Sequence, residues 1–346
     1  MKRLFLIIKY LLKQTSFKFL GCLTIILIAK ISVAQEIVVK RLDHNPIIKP
    51  AMLKNNKGDN INGPSLIKIP SWIKSPLGKY YLYFANHQGE HIRLAYSDDI
   101  NGPWKIYENG TLSKNQCVYN YKNLKLPVKH VASPDIFIDT LKKEIVMYFH
   151  IYSNTDSIKN IPQVTLRATS KNGIDFTPET EILGDSYFRV FKLRDQFYAM
   201  AKSGNLYRSK DGFSKFEKGS NPFLEIQNPS RIRHVALLLK NNTLYAFYSR
   251  VGDLEEHIQY SKIDIHNDWN TWKASQPFSL LKPQFDYEGV NQPIAISASG
   301  ASKTPVRELR DPAIFEENGK IYLLYSVAGE FGIGISELTF NPTKIK

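Results

Sequence analysis

The chain is predicted to be all-β, a five-bladed β-propeller of four-stranded antiparallel blades, on three observations. Five aromatic-rich strands recur along it: "KYYLYFA" (79–85), "EIVMYFH" (144–150), "DQFYAMA" (195–201), "TLYAFYS" (243–249) and "KIYLLYS" (320–326). Each follows a shorter apolar strand across a polar turn and precedes a third strand, which is the hairpin pattern of a repeated sheet. No amphipathic helical period competes with it. Sheets repeated in this way fan around an axis, with the first strand of each blade lining a central channel.

The first 34 residues hold six cations, no acid, an apolar run of 11 residues from Phe19 to Ala29, and Ser32-Val33-Ala34 at the end. That is the composition of a secretory signal, and the run falls short of the roughly 20 residues that span a bilayer. Residues 1–34 are expected to be removed on export to the periplasm or the exterior, with no stable membrane insertion afterwards. Residues 35–346 are expected to form one propeller domain. Removing the leader lowers the net charge from +14 to about +8, with 40 basic and 32 acidic residues left. No basic block interleaved with aromatics occurs, which points away from nucleic acid and leaves other anionic partners open. Cys117 is then the one remaining cysteine, so an internal disulfide and a Cys-rich zinc site are excluded, and burial is its expected role.

The strand "EIVVKRL" (36–42) has no hairpin partner nearby, while the last blade lacks a fourth strand; together they predict ring closure by the N-terminal strand. The inner strands are "SLIKIP" (65–70), "DIFID" (135–139), "FRVFKL" (188–193), "HVALLL" (234–239) and "AIFEE" (313–317). Outer strands are expected at "PWKIYE", "DFTPE", "KFEKG" and "TWKAS", with long insertions at 107–129 and 273–306. Loops of that length are often functional.

Inner strands start near one end of the channel, so their first residues should converge. These are Asn62-Gly63-Pro64, Ser133-Pro134-Asp135, Tyr187-Phe188-Arg189, Arg233-His234 and Arg310-Asp311-Pro312. Four of the five carry charge or imidazole, although an unpaired buried charge costs several kcal/mol. The blade pattern over about residues 60–346, "ASPDIFID", "ELRDPAIF" and "IRLAYSDDINGPW" together resemble the five-bladed glycosidases related to glycoside hydrolase family 43. The resemblance implies an aspartate base at the start of blade one, a modulating aspartate on blade two and a glutamate acid on blade three. Asp135 matches the second role. Blade one offers Asn62 and Gly63, with Asp59 upstream, and blade three offers Tyr187 and Arg189, so the mechanism does not carry over whole.

Glycoside hydrolysis uses two carboxyl groups roughly 5 to 10 Å apart, and Asp135 and Asp311 are placed to face each other from the inner strands of blades two and five. Glu288, flanked by aromatics in "FDYEGVNQP", is a further candidate acid, whereas Glu308 reads as a salt-bridge partner of Arg310. His130 and His234 are candidates for proton transfer, and His87 for the pocket rim, with His91 structural. Arg189, Arg233 and Arg310 suit a carboxylate or sulfate, pointing to an anionic carbohydrate substrate. Tyr187, Tyr287 and Trp72 are candidates to stack on a sugar ring, while Trp269 and Trp272 read as packing residues. No tight ligand motif specifies a metal or other cofactor, which leaves a divalent cation in the channel as an option. The expected function is an exported glycoside hydrolase acting on a uronate-containing or sulfated saccharide at the channel mouth. A non-catalytic glycan-binding propeller and a polysaccharide lyase stay open beside it.

Overall fold

The computed structural model describes residues 36–54, 60–153, 161–226 and 228–341. The leader 1–34 and Asp59 lie outside the described residues. The chain divides into two units, residues 1–38 with 340–346, and residues 39–339. In the first unit, the N–H of Asn341 donates to the Glu36 carbonyl at 2.9 Å. The second unit holds the five sheets of the propeller, and among the described residues helix occurs only as single 3-10 turns.

Blade one comprises Asn62–Lys68, Tyr80–Ala85, Arg93–Ser97 and Lys105–Tyr107. Blade two comprises His130–Asp139, Glu144–Tyr152 and Val164–Ser170, with an outer edge in two pieces, Thr177–Pro178 and Gly184–Asp185. Blade three runs Arg189–Leu193, Gln196–Met200, Leu206–Ser209 and Glu217–Lys218. Blade four runs Ile232–Lys240, Thr243–Arg250, Ile258–Asp264 and Phe278–Leu281. In blade five, Arg310–Glu317, Lys320–Ser326 and Ile333–Phe340 are completed by Ile37–Arg41, the predicted closing strand. Within the second unit, Leu42 continues this edge by donating to Ile335 O at 3.2 Å.

One expected strand is displaced. "TWKAS" is not the outer strand of blade four, because Asp268 caps a one-turn 3-10 helix at Trp269–Thr271 and sends both indoles into the core. Trp272 stacks on Tyr198 at 5.3 Å, and only Ala274 makes an isolated bridge, to Ile263. The 107–129 insertion holds a two-stranded hairpin, Val118–Tyr121 with Leu124–Pro127, whose buried Tyr119 and Leu126 join the core between blades one and two. Cys117 is buried in the same core, and burial pushes its thiol up to about 12.

Short polar turns set the blades against each other. The third strands of blades one to three end in Ser97-x-Asp99, Ser170-x-Asn172 and Ser209-x-Asp211, each with a side-chain oxygen accepting from the N–H two residues on, at 2.8, 2.9 and 2.8 Å. Trp104, Phe176 and Phe216 follow and are buried. Tyr83 of blade one then donates to Gly173 O in the blade-two turn at 2.7 Å, and Tyr148 of blade two to Gly212 O in the blade-three turn at 2.9 Å. Each such buried bond is worth about 1 kcal/mol net. Together they fix where the inner strands stand around the channel.

Candidate functional site

Four inner strands slip register near the channel mouth, between Asn62 and Ser65, Ala132 and Asp135, Ile232 and Val235, and Arg310 and Ala313. A bulge re-aims side chains and is common beside active sites. Left-handed backbone occurs at Gly63 (φ +59°), Ser133 (+48°), Tyr187 (+67°) and Asp311 (+48°). The register also separates the two aspartates. Asp135 pairs with Tyr148 just after its bulge, as Ala313 pairs with Leu324, whereas Asp311 lies inside the bulge as Ser133 does. They therefore do not occupy equivalent strand ends.

A cavity of about 280 Å³ opens at the mouth, and its lining includes His87, His130, His150, Tyr187, Lys202, Arg233, His234 and Glu330. His234 Nδ1 is bonded to buried Asp311, which Ser326 Oγ also approaches at 3.3 Å. His87 Nδ1 lies 2.9 Å from Glu330, whose other oxygen takes Arg310 Nη1 at 3.2 Å. In both rings Nδ1 is occupied and Nε2 is left for chemistry.

The surroundings shift the proton affinities of the two rings in opposite directions. Burial drives His234 below the usual histidine range, outweighing the pull of Asp311, while Arg189 and Arg233 add to the lowering. For His87 burial acts the same way, but the hydrogen bond and charge of Glu330 prevail and raise its pKa. Burial alone would raise Asp311; His234, Arg233 and Arg310 overcome it and hold the carboxyl ionised. His130 and His150 share an Nε2 to Nε2 contact of 2.9 Å, and burial lowers both, His130 to about 4.

Below the mouth, Arg189 spans the channel. Its Nη1 donates to Pro134 O at 2.7 Å, Nε to Val235 O at 3.1 Å and Nη2 to Pro64 O at 3.3 Å, so one guanidinium from blade three reaches the inner strands of blades one, two and four. Asp135 lies beside it at 3.5 Å and accepts from Val190 N at 2.7 Å. Burial raises the Asp135 carboxyl against the opposing effect of Arg189.

No family model matches the sequence. Uncharacterized protein R118 of Acanthamoeba polyphaga mimivirus is 35% identical over 326 residues, covering 88% of this chain and 91% of that protein. The chain belongs to the family of this mimivirus protein. Among solved structures, a study of mannoside phosphorylases and hydrolases of glycoside hydrolase family 130 provides one that matches with a TM-score of 0.59 at 12% identity, covering 91% of this chain and 96% of that one. A glycosyl hydrolase from Bacteroides ovatus matches at 0.57 and 11% identity, covering 89% and 95%. A family 43 β-xylosidase/α-arabinofuranosidase from a compost metagenome matches at 0.54 and 15%, covering 87% and 94%. The resemblance to five-bladed glycosidases thus holds at the level of the fold.

Of the residues singled out from sequence, His87, His130, Tyr187, Arg233 and His234 line the cavity, and Asp311 backs it through His234. Arg189 and Asp135 belong to the channel crossing below. Arg310 is buried on Glu308 and Glu330. Glu288, fully buried, accepts Arg41 Nε and Nη2 at 2.7 and 2.9 Å, Tyr325 Oη at 3.0 Å and Gln284 N at 2.7 Å, so it ties the closing strand to the 273–306 insertion. Of the three arginines expected to hold an anion, only Arg233 faces the cavity, and Glu256 takes its Nε and Nη2 at 2.8 and 3.0 Å.

His150, Lys202, Glu256 and Glu330 escaped the sequence reading. For His150 a signal existed, since the aligned second strands end in Ala85, His150, Ala201, Ser249 and Ser326, one imidazole in a column of small residues. Lys202 stands one residue after that column. Among the described residues no group of three or more His, Cys, Asp or Glu is arranged to hold a metal ion. No helix there is long and apolar enough to cross a membrane.

Proposed function

We propose that the protein is a glycan-cleaving enzyme, a glycoside hydrolase working with a pair of imidazoles on an anionic saccharide. One observation carries this reading: His234 and His87 line one cavity, each held at Nδ1 by a carboxylate, with environments that push their proton affinities apart. Neutral His234 takes a proton from water at Nε2 as the water oxygen bonds to the anomeric carbon. The carbon to glycosidic oxygen bond breaks with its electron pair on oxygen, and cationic His87 supplies that oxygen with a proton. Solvent exchange then returns both rings to their starting states.

The anionic substrate is supported by Lys202 and Arg233. The Lys202 ammonium has no carboxylate partner among the described residues, and Arg233 Nη1 makes no hydrogen bond there. Burial and the neighbouring Arg233 charge both lower the Lys202 pKa, so two like charges share a cavity that an anion would relieve. The acid-free, cation-bearing leader supports export, which places the substrate in the periplasm or outside the cell.

A second reading, β-elimination next to a uronate, is favoured by Glu330 being the one carboxylate among the described lining residues. The test is incubation with uronate-bearing, sulfated and neutral oligosaccharides, followed by mass and ultraviolet absorbance. Hydrolysis gives fragments that together weigh one water more than the substrate. Elimination gives an ultraviolet-absorbing unsaturated sugar and no added water. Intact oligosaccharides throughout the panel would refute cleavage by either route, leaving a glycan-binding propeller.

A further inference from the structure

Tyr187 occupies a backbone position that a bulky residue enters at a cost. Its φ of +67° matches the left-handed kink that Gly63, Ser133 and Asp311 make on other inner strands. For a residue with a large side chain this geometry costs about 1 to 2 kcal/mol, and it persists only where the surroundings enforce it.

The kink places the ring between neighbours. The His150 ring of blade two lies 4.2 Å away between centroids, tilted by 60°, and the His234 ring of blade four lies 4.1 Å away, tilted by 58°. Lys202 Nζ is 5.7 Å from the ring centre. A sugar stacks on an open aromatic face, and these imidazoles crowd the Tyr187 ring from both flanking blades. The ring expected to stack on a sugar is thus already packed against two imidazoles. What the residue retains for a ligand is its hydroxyl, which makes no hydrogen bond to the described residues and belongs to the cavity lining.

We infer that Tyr187 is a catalytic residue whose phenol hydroxyl donates a hydrogen bond to the saccharide oxygen on which charge builds as the glycosidic bond breaks. The inference rests on the glycan-cleaving reading of the cavity. Burial, reinforced by the charges of Asp311 and Glu330, raises the phenol pKa, so the O–H persists across the whole range in which His87 and His234 change state. A preorganised donor at such a position contributes about 10²- to 10³-fold to turnover.

The test is Tyr187→Phe, which keeps the ring between the two imidazoles and removes only the hydroxyl. Expected are a kcat at least about 100-fold lower, a KM within about threefold, an unchanged shape of the pH profile and an unchanged unfolding midpoint. Calorimetric binding of the product saccharide to the same sample should match the wild type, showing the cavity to be intact. A kcat within about threefold of wild type, a loss confined to KM, or loss of product binding would each overturn the inference while leaving the glycan-cleaving reading standing. A wild type that cleaves nothing in the oligosaccharide panel refutes that reading and the Tyr187 role with it.

Discussion

The mouth of the channel and the crossing just below it are built from the same inner strands and the same kinds of residue, yet their hydrogen bonds are distributed differently. In the crossing, Arg189 gives its N–H groups to three main-chain carbonyls on blades one, two and four, and Asp135 takes the Val190 N–H beside it. In the mouth, His234 and His87 are fixed at one nitrogen only, and Lys202 has no carboxylate partner among the described residues. A charged residue at a strand start is thus as compatible with construction as with chemistry. Which of its donors and acceptors remain uncommitted decides between the two.

Four substitutions press on that distinction. His234→Gln removes the proposed base and should lower kcat about 10³-fold, with an unfolding midpoint close to wild type; undiminished turnover would erase the functional side of the contrast. Arg189→Met should do the opposite, lowering stability in urea by about 3 to 5 kcal/mol because Asp135 and the carbonyls lose their partner, while protein still folded at low temperature turns over normally. Stability equal to wild type would show that the crossing does not hold the inner strands.

His87→Asn sharpens the comparison through pH. His234 must be neutral and His87 protonated, so wild-type activity should fall on the acid side through the lowered His234 pKa and on the alkaline side through the raised His87 pKa. The variant should lose the alkaline limb and keep the acid one in a kcat/KM profile. The pairing of His87 with Glu330 also favours the folded state fully below the unfolded histidine value of about 6.5 and ceases to do so as pH rises through the raised native value. The same substitution should therefore flatten that part of a melting-against-pH curve. The smallest effect belongs to Asp135→Asn, which keeps an oxygen for Val190 N–H; kcat within about threefold of wild type is expected from its place outside the mouth.

The propeller was legible because aromatic-rich second strands repeat five times, and its closing strand because the last blade lacked a fourth strand that residues 36–42 could supply. The outer strand of blade four was not, since burial of Trp269 and Trp272 overrode the local strand pattern. At the site, convergence of the strand starts brought His234 and Asp311 together, while the offset between the two aspartates was visible in Pro134-Asp135-Ile136-Phe137 against Pro312-Ala313-Ile314-Phe315, which sets Asp135 level with Ala313. Glu288 read as a candidate acid because its partners, Arg41 and Tyr325, are 247 and 37 residues away and nothing local marks their bonds to it. Glu330, in a short Gly-flanked turn, carried no marker of the ring it would orient.

The guanidinium bridge formed by Arg189 fastens three of the five inner strands to one another at a single point. Blades that are far apart along the chain therefore share one rivet, and losing it loosens three sheets at once.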